Sequence, residues 1–315
     1  MRVAVVIVTY NSADVVGGCL DSLADGARGV EPADVDVADV VVADVVVADV
    51  VVADNASADD SVAIAEKGGA RVVQLGRNAG YAAAVNAGVA ALDLDALDAV
   101  YVLNPDCRLR PGSIAPLAAA LTPGRGIAVP LMLNPDGSLQ PSLRRMPTIW
   151  RAVVEALIGG LRAGRIGRLG ELVTHPRAYE RAGVAVWATG AAMLISVAAL
   201  RGTGPWNESF LLYSEETEFC LRAADRGWVT WYEPASVIEH IGGDSAVNPM
   251  LAALLTVNKV RLFRMRRGPL SALAYYLVVV SGEAVRALSG RRTSRAALAA
   301  LVLPSRRITT LEGPR

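Results

Sequence analysis

The sequence predicts an α/β protein whose core is a doubly wound, mostly parallel sheet flanked by helices. Two observations carry this prediction. Short apolar runs alternate with segments of helical length over the first third of the chain. These runs lack the apolar–polar alternation of half-exposed strands, as expected of parallel strands that helices cover on both faces. With 315 residues, 53% of them hydrophobic, the chain has room for one large domain with helical additions or for two small domains.

The N-terminal elements follow in β–α order. The apolar start is too short for a signal peptide and runs into polar residues, so it is read as the first strand. Ser12 or Asp14 caps the helix that follows. The predicted elements are a strand over 3–8, a helix to about Leu23, a strand ending at Asp54, a helix near 60–67, a strand over 71–75, a helix over 81–92 and a strand over 99–103.

A pentamer, VVVAD, occurs three times in tandem before the helix near 60–67. Its five-residue period matches neither a helix nor a strand, and three copies are too few for a stable solenoid. Residues 35–53 are therefore interpreted as a tandem expansion ahead of the second strand. Only the last copy, 50–54, precedes a turn and a helix cap. We expect that copy to be the core strand and the earlier ones to form a loop or a strand extension.

The remaining segments predict further mixed structure. Asn134–Gly137 (NPDG) is a strong turn signal, and apolar residues recur at helical spacing after it. The predicted segments are a helical stripe over 149–161, a strand or strand–helix junction over 185–197, a helix over 213–226 and a helical region over 249–303.

The C-terminal region, 246–315, is predicted to be separate in character from a sheet domain over 1–245. From Lys259 onward it holds 12 basic and 2 acidic residues, a net charge of +10, although the whole chain is neutral. Leu270–Val280 is apolar but shorter than the roughly 20 residues of a membrane span. These features favour a helix lying on an anionic membrane surface. The basic residues do not alternate with aromatic ones, so nucleic acid is not the expected partner.

The three cysteines, Cys19, Cys107 and Cys220, are scattered without disulfide or metal-type spacing. A reducing compartment is the simpler interpretation. Together with the basic tail, this predicts a cytoplasmic protein held peripherally on the inner face of the plasma membrane.

Four polar loops follow successive predicted strands. They are Thr9-Tyr10-Asn11, Asp54-Asn55-Ala56-Ser57, Arg77-Asn78-Ala79-Gly80 and Asn104-Pro105-Asp106. Since the carboxyl ends of parallel strands meet at one edge of a sheet, these loops gather where α/β proteins bind ligands. Each alone is readily explained as a cap or turn, but the set favours a nucleotide site, with a carboxylate that can hold a divalent cation against a diphosphate.

Two downstream features add chemistry. Glu215-Glu216-Thr217-Glu218 either complements a helix dipole or supplies a general base whose pKa its neighbours raise. His240 is either a structural residue or a further metal ligand. His175, beside Pro176, is expected on a surface loop.

The set of motifs resembles the family 2 glycosyltransferases of GT-A fold. The matching strings, in order over residues 1 to about 245, are VVIVTYNS, VVADNASADDS, LGRNAGYAAAVNAG, VLNPDCRL, WATGAAMLIS and FLLYSEETEFCLRAADRGW. The stretch NPDGSLQPSLRRMPT (134–148) is similar to the bacterial rhamnosyltransferase branch, whose members include enzymes acting on polyprenyl-diphosphate-linked GlcNAc.

The resemblance implies an inverting transferase that uses a nucleotide-sugar, best matched by dTDP-L-rhamnose, and a divalent cation, Mg or Mn. It implies that Glu216 is the catalytic base and that Asp106 and His240 bind the metal. The implied donor-binding residues are Thr9, Tyr10, Asn11, Asp54, Asn55, Ser57, Arg77, Asn78, Gly80 and Asn104. The implied acceptor residues are Trp187, Thr189, Gly190 and Glu215, facing a lipid-linked or polysaccharide acceptor in cell-envelope glycan synthesis.

One departure leaves alternatives open. The family's Glu-Asp-x-Asp is here Glu-Glu-Thr-Glu (215–218), so each aspartate is one methylene longer. A catalytically silent sugar-nucleotide-binding homologue, a transferase for another sugar such as galactofuranose, and a membrane scaffold are the alternatives. A sugar-phosphate nucleotidyltransferase is disfavoured, because Thr9–Ser12 replaces the glycine-rich basic loop which that class needs after its first strand.

Overall fold

The computed structural model describes residues 1–28, 45–242 and 248–311. The helices are α1 (Ala13–Ala27), α2 (Ser61–Lys67), α3 (Tyr81–Ala90), α4 (Ile114–Ala120), α5 (Ile149–Ile158), α6 (Gly160–Arg165), α7 (Val197–Thr203), α8 (Glu215–Asp225), α9 (Pro249–Arg266), α10 (Pro269–Leu288) and α11 (Arg292–Val302). The strands are β1 (Arg2–Thr9), β2 (Val46–Asp54), β3 (Arg71–Gln74), β4 (Ala99–Leu103), β5 (Cys107–Leu109), β6 (Arg125–Leu133), β7 (Leu143–Arg144), β8 (Gly183–Ala185), β9 (Trp187–Ala188), β10 (Ala192–Ser196) and β11 (Val229–His240).

One large sheet organises the molecule, in the order β3-β2-β1-β4-β10-β6-β11-β5, with β8 paired to β11. The first four strands of this order are parallel, and β6 and β11 are also parallel to each other. Strand β10 runs antiparallel between β4 and β6. The predicted doubly wound α/β fold with flanking helices and C-terminal helices is confirmed.

Strand β1 lies at the centre of two hydrophobic layers. Val3, Val5 and Ile7 pack into one layer with α1, and Val6 and Val8 pack into the other with α3. Residues 3–8 are all buried, as the unbroken apolar run predicts. This double burial fixes the position of Thr9, where the strand ends and the ligand edge begins.

The last pentamer copy forms the buried end of β2. Thr9 pairs with Asp54 and Val5 with Val50, and the register shifts between Val3 and Ala4. The second copy extends β2 as an exposed to half-buried segment. The first copy lies outside the described residues.

Two backbone conformations change the predicted boundaries. The stripe over 149–161 is divided into α5 and α6 because Gly159 has a φ of +83°. Helix α8 begins at Glu215 rather than at Tyr213, since Tyr213 and Ser214 have φ values of +70° and +75°. Positive φ is incompatible with a right-handed helix.

The predicted C-terminal helices are present, and α10 continues beyond the apolar stretch over 270–280. Helix α10 has 20 residues and, among the described residues, is the one helix long and apolar enough to cross a bilayer. Its end was missed because Ser281, Gly282 and Glu283 interrupt the apolar run. The helix packs on α5 so closely that a Cβ on Gly282 would lie 2.8 Å from the Ala156 Cβ.

Candidate active site

The first two loops are joined through Asp54, which is 1% exposed. Its carboxylate accepts hydrogen bonds from the Thr9 hydroxyl (2.8 Å), the Ser57 hydroxyl (2.6 Å) and the Ser57 amide (2.9 Å). Asn11 completes the join, since its side-chain oxygen accepts from the Ala58 amide at 2.8 Å. Asp54 therefore orders the strand ends, and its carboxylate is largely occupied by protein donors.

The second and third loops are joined through Asn55. Its side-chain oxygen accepts from the Ala79 amide (3.1 Å) and its nitrogen donates to the Gly80 carbonyl (3.4 Å). Gly80 has a φ of +93°, and a Cβ there would lie 2.2 Å from the Leu211 carbonyl oxygen. Only glycine fits this position. The third loop is thereby pressed against the chain segment that leads to Glu216.

Arg77 is exposed and forms no ion pair with any residue in the described ranges. Asn78 is half-buried and accepts the Gly80 amide at 3.3 Å. Tyr10, which follows β1, is also half-buried. Of the predicted donor residues, Arg77 is thus the one with a charge directed to solvent and open to a phosphate.

Asp106 and His240 meet at the edge of the sheet, although 134 positions separate them in the chain. The His240 Nε2 atom lies 3.3 Å from Asp106 Oδ1. The contact does not have hydrogen-bond geometry, and Oδ1 is buried without a hydrogen-bond donor among the described residues. Burial opposes ionisation, but the His240 imidazole outweighs it and lowers the pKa of Asp106. An ionised, unpartnered carboxylate oxygen beside an imidazole nitrogen fits a divalent cation.

Gln140 orients the imidazole. Its side-chain oxygen lies 2.6 Å from His240 Nδ1, and its nitrogen donates to Asn134 Oδ1 at 3.0 Å. This arrangement makes Nδ1 the donor to Gln140 and leaves Nε2 facing Asp106, the orientation of a metal-binding histidine whose other ring nitrogen is held by a hydrogen bond. The NPDG turn therefore has a role at the site that the sequence analysis did not assign.

Cys107 is near this pair but is a poor ligand. Its sulfur lies within 4.8 Å of the Asp106 and His240 ligand atoms. Burial raises the pKa of the Cys107 thiol well above its ordinary value, and the thiol donates to the Ala191 carbonyl at 3.3 Å. A protonated thiol with its proton already bonded does not bind a hard cation.

The segment before α8 is strained. Leu211, Tyr213 and Ser214 all have φ between +62° and +75°, a region that non-glycine residues seldom occupy. Asn258 of α9 holds them, since its side-chain nitrogen donates to the carbonyls of Phe210 (2.7 Å), Leu212 (2.9 Å) and Tyr213 (3.2 Å). Such strain persists only where the surrounding structure enforces it, and it occurs frequently at functional sites.

The three glutamates of α8 differ in their surroundings. Glu218 is paired with Arg222, with Nε 2.8 Å from Oε1. Glu215 is 3% exposed, and burial together with the Glu216 charge raises its pKa well above the ordinary value. Glu216 is half-buried; burial raises its pKa, and Arg144 opposes this rise. Only Glu216 combines accessibility with a carboxylate free of an ion pair, as a general base requires.

Of the predicted acceptor residues, Gly190 lies directly against Glu216. A Cβ on Gly190 would lie 3.0 Å from the Glu216 Cβ. The Thr189 amide donates to the Ser142 carbonyl at 3.0 Å, and the indole of Trp187 donates to the Arg145 carbonyl at 3.2 Å. These bonds fix the β9–β10 connection against the chain on either side of β7.

Gly190 and Ala191 join the two halves of the site. Gly190 contacts Glu216, and the Ala191 carbonyl accepts the amide of Asn104 at 2.8 Å. The Tyr81 hydroxyl also donates to the Gly190 carbonyl at 2.9 Å. Burial and the charges of Glu215, Glu216 and Asp106 raise the pKa of Tyr81 well above its ordinary value. The aspartate–histidine pair and the glutamate helix therefore face one common region.

Three residues of this region were not singled out from the sequence: Gln140, Arg144 and Tyr81. Arg144 lies over the Trp187 ring, 5.7 Å from its centroid, and forms no ion pair among the described residues. The sequence features that could have pointed to these three residues are weak. Gln140 and Arg144 lie in the NPDGSLQPSLRR stretch, and Tyr81 follows the glycine that starts α3.

Comparison with known proteins agrees with this geometry. Residues 4–155 match the family model of "Glycosyl transferase family 2". The chain is 32% identical over 180 residues to "N-acetylglucosaminyl-diphospho-decaprenol L-rhamnosyltransferase" of Mycobacterium tuberculosis, strains H37Rv and CDC 1551. The matched segment covers 54% of this chain and 58% of those relatives, so the chain spans little more than half of their length.

Solved structures share the fold. A mannosyltransferase from Pyrobaculum calidifontis, solved with GDP-Man and Mn²⁺, is 16% identical with a TM-score of 0.54, covering 96% of this chain and 75% of that one. GalNAc-T7, solved with UDP, GalNAc and Mn²⁺, is 15% identical with a TM-score of 0.54, covering 83% and 47%. The fold is that of these two glycosyltransferases. Residues 4–155 thus match glycosyltransferase family 2, and the chain is similar to a rhamnosyltransferase over 180 residues.

Proposed function

We propose that this protein transfers a sugar, best matched by L-rhamnose from dTDP-L-rhamnose, to a hydroxyl of a lipid-linked or polysaccharide acceptor in cell-envelope glycan synthesis, with inversion at the anomeric carbon. The 32% identity to a rhamnosyltransferase named for a diphospho-decaprenol-linked N-acetylglucosamine supports the sugar and the lipid-linked acceptor. The observation that carries the proposal is the meeting of the Asp106–His240 pair with Glu216 around Gly190 and Ala191.

A divalent cation, Mg or Mn, is the proposed cofactor. The unpartnered Asp106 Oδ1 and the oriented His240 Nε2 would hold it, with Asn104 beside them. The Mn²⁺ in the titles of two structural neighbours supports a metal of this kind. When bound, such an ion neutralises the charge that grows on a leaving nucleoside diphosphate.

The other donor contacts are assigned by position at the same edge. Thr9, Tyr10 and Asn11 follow β1, and the network around Asp54, Asn55 and Ser57 shapes the pocket for base and ribose. Arg77, Asn78 and Gly80 border it, with the Arg77 guanidinium available to a phosphate. Thr9, Asp54 and Asn55 act mainly by holding the loops, since their polar atoms are bonded within the protein.

Glu216 is the proposed catalytic base. It takes the proton from the acceptor hydroxyl as that oxygen attacks the anomeric carbon, and the bond to the diphosphate oxygen breaks on the opposite face. The raised pKa makes the Glu216 carboxylate a stronger base towards the acceptor hydroxyl. Trp187, Thr189 and Gly190 shape the acceptor side, and buried Glu215 supports the helix start beside them.

Membrane association is proposed through α10 and its neighbours. Large apolar side chains on the outer face of α10 are exposed at near-helical spacing: Leu270, Leu273, Leu277, Val285 and Leu288. Trp150 and Leu157 of α5, which packs on α10, are also exposed. With the basic C-terminal region, this surface fits an anionic bilayer on the cytoplasmic side.

The test is release of nucleoside diphosphate from a panel of sugar nucleotides, dTDP-L-rhamnose included, with GlcNAc-diphospho-polyprenol as acceptor, with Mn²⁺ or Mg²⁺ and with EDTA. We expect metal-dependent release from one donor and none from Glu216→Gln, which should still bind that donor. Turnover unaffected by EDTA would contradict the metal assignment. Nucleotide binding without turnover on any donor would instead favour the silent homologue, to which the Glu-for-Asp change at 216 also points.

A further inference from the structure

We propose that the cavity between the C-terminal helices and the segment before α8 is the binding site for the isoprenoid chain of a polyprenyl-diphosphate acceptor. The cavity has a volume of about 1000 Å³, within the upper range of ligand pockets. This inference rests on the lipid-linked acceptor of the proposed function and assigns a place for its chain that the predicted acceptor residues near Glu216 do not provide.

The cavity wall is chiefly apolar. It includes side chains from all three C-terminal helices: Ala253, Val257, Ala272, Leu273, Ala300 and Leu301. Leu273 lines the cavity and is also 54% exposed on the outer face of α10. The cavity is therefore continuous with the apolar surface that we assign to the membrane, and a lipid chain has an apolar route into it.

Three arginines also line the cavity: Arg261, Arg264 and Arg307. All three are exposed, and none forms an ion pair within the part of the chain that the structure describes. Arg261 is fixed in place, because it donates to the Ser209 carbonyl at 2.6 Å and lies 5.3 Å from the centre of the Phe210 ring. An apolar cavity with unneutralised guanidinium groups fits an apolar chain that carries a diphosphate.

The cavity shares a wall with the candidate active site. Phe210, Leu211 and Asn258 line it. The Leu211 carbonyl accepts the Tyr81 amide at 2.7 Å and closely contacts Gly80, while Asn258 holds the segment that ends at Glu215. A chain in the cavity is thus separated from the donor loop by a single strained segment. In this proposal the sugar end of the lipid passes this segment to reach Glu216.

The test is equilibrium binding, without donor, of two fluorescent GlcNAc-diphosphate lipids in detergent, one with a decaprenyl chain and one with a short citronellyl chain. Ala272→Trp fills the cavity, and Ser281→Trp places the same side chain on the exposed face of α10 as the matched control. We expect Ala272→Trp to weaken decaprenyl binding about tenfold or more, equivalent to 1.4 kcal/mol, and to leave citronellyl binding little changed. Equal affinity of Ala272→Trp and Ser281→Trp for the decaprenyl lipid would overturn the proposal.

A second pair of variants addresses the diphosphate without altering the interior. Arg264→Glu should weaken binding of both lipids, whereas Arg292→Glu, on α11 and outside the cavity lining, should not. If both reversals weaken binding to anionic phospholipid vesicles equally while leaving decaprenyl binding unchanged, the arginines serve the membrane and not the acceptor. A wild-type protein that binds neither lipid would contradict the proposed acceptor itself. If the wild type binds the lipids and every cavity variant binds them equally well, only the assignment of the lipid chain to the cavity would be contradicted.

Discussion

Gly190 lies directly against Glu216: an alanine Cβ at position 190 would be 3.0 Å from the Glu216 Cβ and 3.5 Å from its Cγ. This spacing is tighter than ordinary van der Waals contact, so the glutamate side chain must shift to accept a methyl group. The absence of a side chain at 190 therefore sets the position of the proposed base.

Replacing Gly190 by alanine should lower kcat severalfold, up to about tenfold, because the Glu216 side chain must move by a fraction of the roughly 1 Å displacement that costs about a hundredfold. Donor binding, measured by nucleotide titration, should be retained. Gly183→Ala is the matched control, since a Cβ there meets nothing within 4 Å. Unchanged kcat in the Gly190 variant would show that Glu216 is not held by this contact.

Gln140→Leu should weaken Mn²⁺ binding about tenfold to a hundredfold, since loss of the group that orients a histidine ligand has effects of this order. The measurement is isothermal titration with the metal alone, so it does not depend on the donor. Gln74→Leu, at an exposed position on β3, is the matched control. Equal affinity in both variants would separate Gln140 from the metal site, and retained binding in Asp106→Asn would remove Asp106 from it.

Arg144→Met should move the acidic limb of the pH–kcat profile to higher pH. Burial raises the pKa of Glu216 and the Arg144 guanidinium opposes that rise, so its removal lets the pKa rise further. A general base acts only when deprotonated, and activity then appears at higher pH. Arg144→Lys keeps the charge and should largely restore the wild-type limb. If kcat falls at every pH but the acidic limb stays at the same pH, Arg144 would instead act in ligand binding.

Lys259→Met should lower the free energy of unfolding by about 2–4 kcal/mol near neutral pH, because it leaves two largely buried carboxylates without their counter-charge. Lys259 Nζ lies 2.9 Å from Glu155 and 3.1 Å from Glu171. Lys67→Met, at the other lysine of the chain and on an exposed helix end, is the control. Chemical denaturation curves of the two variants give the comparison.

The same cluster has a defined pH window. Burial raises the pKa of Glu155, but Lys259 outweighs it, so that pKa is lowered from its ordinary 4.5; its stabilisation is present above 4.5 and is lost as pH falls through the lowered value. Burial would lower the pKa of Lys259, but Glu171 and Glu155 raise it well above 10.5. That stabilisation is present below 10.5 and is lost at still higher pH. The difference between wild type and Lys259→Met should shrink outside this window.

The parts of the fold that follow from local pattern were predictable. The apolar run over 3–8, the turn and cap after Asp54, and the strand ending at Asn104 each carry their structure within a few residues. The carboxyl edge followed from topology, which placed Asp106 and Asp54 at the same end of the sheet. The start of α8 was missed because positive φ at Tyr213 and Ser214 has no signature in a non-glycine sequence.

The contacts that complete the site could not be predicted, because they join distant parts of the chain. Gln140 and His240 are 100 residues apart, and Asn258 is 48 residues from Phe210. Neither glutamine nor asparagine in a polar or helical stretch signals its partner. The sequence left Asp54 either as a ligand contact or as part of a turn, and did not reveal that Thr9 and Ser57 occupy most of its acceptor capacity.

The side-chain amide of Asn258 links the C-terminal helices to the candidate active site. A boundary at residue 245 leaves every predicted site residue on one side, yet the side chain that holds the left-handed turn before Glu215 comes from the other. Residues 1–245 alone would lack the side chain that holds the segment before Glu215. We therefore expect that shortening the chain at residue 245 would impair the proposed transfer even in solution, where no bilayer is needed.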